Sequence, residues 1–215
     1  MAINSIETHV LEMIGESTDS PDVFTDTDAG MEPIRDSIND AIEEITMLTG
    51  SYKVQYRFPL IEGQGFYRLR LANGSIGWIT DVWLVSNKSR LTQTDETKLS
   101  MENPRWMVSQ GTPREYFQIG KDIIGTYPRS SSTSDVLELT VVVIPARYTS
   151  GSDRLFLREA FKWGAVHYAV SEFYASRGDA KSAIDHHQKY LENIGMQSLY
   201  PKSAERIPFY KTVKQ

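Results

Sequence analysis

Residues 33–58 read PIRDSINDAIEEITMLTG and then SYKVQYRF, and the period of their apolar residues changes at Gly50. Ile34, Ile38, Ala41, Ile42, Ile45 and Leu48 recur at helical spacing, with Pro33 suited to a first turn and Gly50 to a C-terminal stop. The opposite face of that helix carries Asp36, Asp40, Glu43 and Glu44. From Ser51 the period is two: Tyr52, Val54, Tyr56 and Phe58 alternate with polar residues, as in a half-buried strand. Helix gives way to strand at one glycine, which makes the class α+β.

Downstream the strand period continues. Phe66–Leu71, Asn73-Gly74 and Ile76–Ile79 read as a hairpin with a type I′ turn. Further strands are predicted at Val82–Val85, Arg105–Ser109, Tyr116–Ile119, Asp122–Thr126 and Val136–Ile144. The last is the strongest, because Val141, Val142, Val143 and Ile144 are all β-branched and Pro145 ends the run. Residues 87–100 read as a polar loop and 129–134 as a flexible turn. From Asp153 the helical period returns. Leu157, Ala160, Phe161, Gly164, Ala165, Tyr168, Ala169 and Phe173 form one face, with Gly164, Ala165 and Ala169 small enough for close helix approach. Gly178-Asp179 breaks and restarts the helix, and Ala180, Ala183, Ile184, His187, Leu191 and Ile194 form a second stripe, giving an αα-hairpin.

Upstream, Ile6, Val10, Met13 and Ile14 give a short amphipathic helix stopped by Gly15. Residues 16–30 read as an exposed loop. Its Asp26-x-Asp28-x-Gly30 lacks the bidentate Glu that a calcium loop requires. At the other end, residues 196–215 carry four Lys and Arg against one Glu, together with Leu199, Tyr200, Ile207, Phe209 and Tyr210. Two readings suit this segment: packing back on its own domain, or an arm that orders on a partner, which is favoured.

The formal net charge of −5 is unevenly distributed. Residues 1–50 hold twelve Asp and Glu against one Arg, a balance of −11; residues 51–215 hold 22 Lys and Arg against 16 Asp and Glu, a balance of +6. Cysteine is absent, which excludes disulfides, thiolate nucleophiles and sulfur-held metals. No stretch reaches the roughly 18 apolar residues of a membrane span, and no signal peptide is recognisable, so a soluble intracellular protein is expected. Of the four histidines, His186 and His187 point about 100° apart on one helix and His9 and His167 stand alone. Gly63-Gln64-Gly65 precedes a strand and reads as a hairpin loop, not a phosphate cradle. Glu43-Glu44 and Asp95-Glu96 lie on solvent faces without a cleft pattern. No cofactor, metal or catalytic residue is assigned.

The helix Ser37-Ile38-Asn39-Asp40-Ala41-Ile42-Glu43-Glu44-Ile45 resembles the N-x-A-x-x-E-I helix of tailed-bacteriophage head–tail connector adaptors. Residues 111–116 (GTPREY), Gly120, Pro128 and the strand ending at Pro145 are similar to the strand-rich insertion of the longer adaptors and of the podophage tubular proteins. The closing helix pair, Leu155–Phe173 and Ala180–Ile194, resembles theirs. The resemblance implies a helical bundle of two N-terminal helices and a C-terminal helix hairpin, with an inserted antiparallel β-rich domain and an extended C-terminal arm. The expected divisions are 1–50, 51–148, 149–195 and 196–215. It implies a virion protein of the neck or tail, not an enzyme, assembled in the host cytoplasm as a ring, commonly of twelve copies. Its partners would be the portal protein, the next tail or neck protein and further copies of itself, with double-stranded DNA passing through the lumen and no membrane involved. Leu199, Tyr200, Ile207, Phe209 and Tyr210 would anchor the arm on the portal. Asp36, Asp40, Glu43 and Glu44 would face the channel and repel phosphate. The alternatives are a stopper or tail terminator, or a small enzyme or ligand-binding domain with a site in the strand-rich middle.

Overall fold

The computed structural model describes residues 4–15, 28–71, 74–150, 153 and 157–195. Five α-helices occur among them: α1 (Asn4–Ile14), α2 (Asp28–Thr49), α3 (Glu96–Glu102), α4 (Lys162–Ser176) and α5 (Ala180–Asn193). The protein is a mixed α+β chain in two compact units, one drawing on both chain ends up to Ser51 and from Arg147, the other formed by Tyr52–Ala146.

In the helical unit α1, α2 and α5 all pack on α4. The small residues of α4 permit this: Gly164, Ala165 and Ala169 are buried, and a Cβ at Gly164 would lie 3.0 Å from Ile194 Cγ2. Ile6 and Val10, then Ile34, Ile38, Ala41, Ile42 and Ile45, close the core against Val166, Val170, Tyr190, Leu191 and Ile194. Leu48, expected on that face, is instead exposed, because α2 ends one residue later.

Helix α2 starts at Asp28, five residues ahead of Pro33, so the loop expected at 16–30 is helical over its last three residues; 16–27 and the candidate ligand Asp26 lie outside the described residues. Pro33 is tolerated because it sits in the second turn, where its missing N–H forfeits a single bond to the first turn. Gly15 (φ +83°) ends α1, and Gly50 (φ +58°) ends α2 while donating to Thr46 O at 2.9 Å. Helix α4 begins later than expected: Leu157 is buried ahead of it, outside any helix, and a 3-10 turn over Glu159–Phe161 leads in. The apolar spacing that suggested an earlier start thus includes a loop residue that fills the core. Asp179 caps α5 by accepting from Ser182 N at 3.1 Å. The second stripe is buried only at Leu191 and Ile194, joined by Tyr190, whereas Ile184 is 58% exposed.

The strands of the other unit are β1 (Lys53–Pro59), β2 (Phe66–Arg68), β3 (Gly74–Leu84), β4 (Ser89–Arg90), β5 (Thr92–Gln93), β6 (Gln110–Gly111), β7 (Glu115–Ile119), β8 (Ile123–Tyr127), β9 (Arg129–Ser130) and β10 (Val136–Pro145). They form sheets ordered β1-β10-β3-β4 and β2-β8-β7-β5 and a small β6-β9 ladder. The β-branched β10 is central in its sheet, with Val141–Ile144 buried. Leu60, Tyr67, Val82, Leu84, Ile124, Leu137, Leu139 and Val141 form the main core.

Six expectations for this region are corrected. Residues 66–71 and 76–79 do not form a hairpin: β2 pairs with β8, while β3 runs unbroken to Leu84 and pairs with β10. Gly74 opens β3 at φ +146°, where a Cβ would strike the Ile144 carbonyl, so this glycine serves a close approach between strands. Residues 105–109 are not a strand. Trp106 is buried with Leu99 and Phe117 while Met107 and Val108 are exposed, which is no period-two pattern, and the segment is a 3-10 turn. Residues 87–100 hold β4, β5 and α3, the helix capped by Asp95, whose Oδ1 accepts from Lys98 N at 2.8 Å. The turn at 129–134 begins as β9, with Ser130 fully buried, its Oγ 2.6 Å from Asp135 Oδ2 and accepting from Ser132 N. The ladders β5–β7 and β6–β9 are parallel, so the antiparallel expectation holds for the remaining ones. Gly63-Gln64-Gly65 lies in a loop between different sheets, where a Cβ at Gly65 would press on Arg129, and is no hairpin.

Candidate functional site

The acidic face of α2 is the first candidate surface. Asp36, Asp40 and Glu43 are exposed, and Glu44 is half-buried. Two contacts that the sequence conceals qualify their charge. Arg147 Nη2 donates to Asp40 Oδ1 at 2.9 Å and to Asp36 Oδ1 at 3.3 Å. Glu44 Oε1 accepts from the hydroxyl of the buried Tyr190 at 2.9 Å. Burial, and next the Glu44 charge, pushes the neighbouring Tyr168 phenol up to about 12. Asn39 sets the position of Arg147. Its side chain is buried on α2, Nδ2 donates to Tyr148 O at 3.0 Å, and Oδ1 accepts from Tyr148 N at 2.8 Å. An amide that reads both backbone groups of one residue fixes the adjoining residue over the helix. The asparagine of the N-x-A-x-x-E-I helix therefore has a structural task.

The second candidate lies on α4 and α5. His167 does not stand alone: its Nδ1 is 3.1 Å from Nδ1 of His186, with ring centroids 5.2 Å apart. Trp163 and Tyr174 flank the pair at 6.4 and 5.8 Å. His9 stacks on Trp163 at 4.9 Å and reaches Glu12 at 3.0 Å. His187 points elsewhere, toward Tyr190 and an open apolar groove of about 330 Å³ that Ile184 and Leu191 also line. No spacing in the sequence announces the pair, since 19 residues and a helix break separate its members.

Burial, and then the charges of His186 and Lys189, lower the His167 pKa to about 4; burial and then Lys189 lower that of His186. An imidazole that resists protonation in the folded chain and accepts a proton near its ordinary value of 6.5 when unfolded makes the unfolded state the greater proton binder between those limits. Stability is then fully present above pH 6.5 and is lost progressively as pH falls toward about 4. Thermal unfolding across pH 4.5–7.5 should show this slope in the native chain and a flatter one in His167→Gln; parallel profiles would refute it.

The remaining groups were not brought together. Asp95, one of the paired carboxylates, is a helix cap. Among the described residues no three His, Cys, Asp or Glu side chains are grouped to hold a metal ion, and no helix is long and apolar enough to cross a membrane. The arm residues Leu199, Tyr200, Ile207, Phe209 and Tyr210 lie outside the described residues.

A family-model match places this α+β chain, with its acidic N-x-A-x-x-E-I helix in the helical unit, in the class of bacteriophage adaptor proteins. Within that class the chain belongs to the SU10 adaptor protein family, whose model matches residues 3–207, nearly its whole length. No curated protein matches it. The resemblance drawn from the sequence is thereby borne out at the level of the adaptor family. The protein is a structural phage adaptor, a virion component that joins other components such as portal or tail.

Proposed function

We propose that this adaptor forms a homo-oligomeric ring, of twelve copies, beneath the portal vertex, joins the capsid to the next tail or neck protein, and extends the DNA channel for genome retention and ejection. The observation that carries the reading is the family match over residues 3–207. The uneven charge, −11 over residues 1–50 and +6 over the rest, supplies opposite surfaces for head-to-tail contacts between copies. In this reading α1, α2, α4 and α5 constitute a helical bundle, residues 51–148 an inserted domain, 149–195 the closing helix hairpin, and 196–215 a basic aromatic arm. The arm docks on the portal through Leu199, Tyr200, Ile207, Phe209 and Tyr210. The likeness to podophage tubular proteins belongs to the same proposal.

The exposed carboxylates of α2 line the lumen and keep the duplex sliding instead of adhering. Arg147 tempers this face at Asp36 and Asp40. Glu43 then carries the strongest expected effect on DNA, with Glu44 engaged by Tyr190.

Light scattering and electron microscopy of the purified protein, alone and mixed with its portal, test the reading. A ring on portal is the expected result, and a monomer in the presence of portal refutes it. Deleting residues 196–215 should leave the helical core folded, by circular dichroism, and abolish capture by portal; unchanged capture removes the arm from the proposal. Docking elsewhere in the neck, with no affinity for portal, would instead identify a stopper or tail terminator.

A further inference from the structure

The two imidazoles joined across α4 and α5 have a use beyond packing. We propose that His167 and His186 form a binding site for a divalent first-row transition ion of the zinc, nickel and copper class, held through both Nδ1 atoms and tying α4 to α5. The proposal rests first on distance. Bonds from such an ion to imidazole nitrogen are about 2.0–2.1 Å, so two nitrogens in adjacent coordination positions lie about 3 Å apart. The two Nδ1 atoms are 3.1 Å apart.

Preorganisation is the second support. Each ring sits within a helix, and the two helices are held together by the close Gly164–Ile194 approach and by the buried Tyr190 and Leu191. Trp163 packs beside the His167 ring and Tyr174 beside the His186 ring. Ligands fixed on packed helices lose little freedom when they bind. The pair needs no net proton release at neutral pH. One ring now donates from Nδ1 to the other; on binding, its proton moves to Nε2, and both Nδ1 lone pairs become available.

The ligand chemistry selects the ion. Two imidazoles, with no group of three His, Cys, Asp or Glu side chains among the described residues, suit zinc, nickel or copper, and not the oxygen-seeking magnesium or calcium. Around the pair, Lys189 opposes a cation and Asp185 favours one. Water completes the coordination sphere, so the site is one of modest affinity whose occupancy reinforces the helix pair.

The test is calorimetric titration of the full chain with ZnCl2 and with NiCl2 at pH 7.5, alongside thermal unfolding. One saturable equivalent per chain is expected, with a Tm that rises with ion concentration and returns on adding EDTA. His167→Gln and His186→Gln should each weaken binding at least about tenfold, while His9→Gln and His187→Gln leave it unchanged. Nickel should broaden the ring resonances of His167 and His186 ahead of those of His9 and His187, a readout on the native chain that stands even where a variant fails to fold. Absence of saturable binding overturns the proposal. So do retention of native affinity by both pair variants, equal broadening of all four histidines, or equal binding of MgCl2.

Discussion

Replacing Arg35 with Ala is expected to cost about 3–5 kcal/mol of stability, the effect of breaking a buried ion pair by removing one partner. Arg35 Nε on α2 donates to Glu7 Oε1 on α1 at 2.7 Å, with side chains only 14% and 8% exposed. Without the guanidinium, the Glu7 side chain, which is buried, loses this ion pair. Arg147 supplies the contrast. It too bridges α2 carboxylates, Asp36 and Asp40, but all three side chains are more than half exposed, and Arg147→Ala should cost less than about 1 kcal/mol. The apolar double variant Glu7→Leu/Arg35→Met should recover most of the loss, because no buried charge then remains uncompensated. Urea unfolding of the four proteins decides the matter. A loss below about 1 kcal/mol in Arg35→Ala would mean that water reaches the pair and screens it.

That ion pair also marks how far the sequence can be read. The periods of α1, α2 and β10 are local signals, and Ile6, Val10, Ile38, Ile42, Ile45 and Val141–Val143 are buried as their spacing predicts. Partners are not local. Arg35 reaches Glu7 across 28 residues, Arg147 reaches Asp40 across 107, and His167 reaches His186 through a helix break. Nothing in the spacing of charges specifies these encounters, so the acidic face of α2 was legible while its partial neutralisation was not. The strand-rich unit shows the same limit. Asn73-Gly74 carries the composition of a tight hairpin turn, yet Gly74 is required by the carbonyl of Ile144, some 70 residues downstream, and the pairing of β3 with β10 is set by the alternating core residues of both. Trp106 misled for a related reason: a large apolar residue beside Met107 and Val108 suggests a strand, while only its ring is used, in a small core with Leu99 and Phe117.

Phe117 carries the other large expected effect, through a glycine. Gly125 lies opposite Phe117 in the β7–β8 ladder, and a Cβ built on it would clash with the Cζ and Cε atoms of the Phe117 ring. The ring cannot withdraw: it is buried, meets Trp106 edge-on at 5.3 Å and Phe66 at 5.8 Å, and fills the space above the strand. Gly125 is therefore needed for space, as glycine inside a strand often is where another group approaches closely. Gly125→Ala should cost about 3 kcal/mol, the upper end of overpacking losses, and Phe117→Ala about 3–5 kcal/mol from the cavity it leaves. The double variant distinguishes this account from two independent defects. Once the ring is gone, the added methyl has room, so Gly125→Ala/Phe117→Ala should be no less stable than Phe117→Ala alone, a coupling of about the whole single-site loss. Additive losses in denaturant unfolding would show instead that Gly125 is required for its backbone, and would leave the close packing of this small core without its proposed cause.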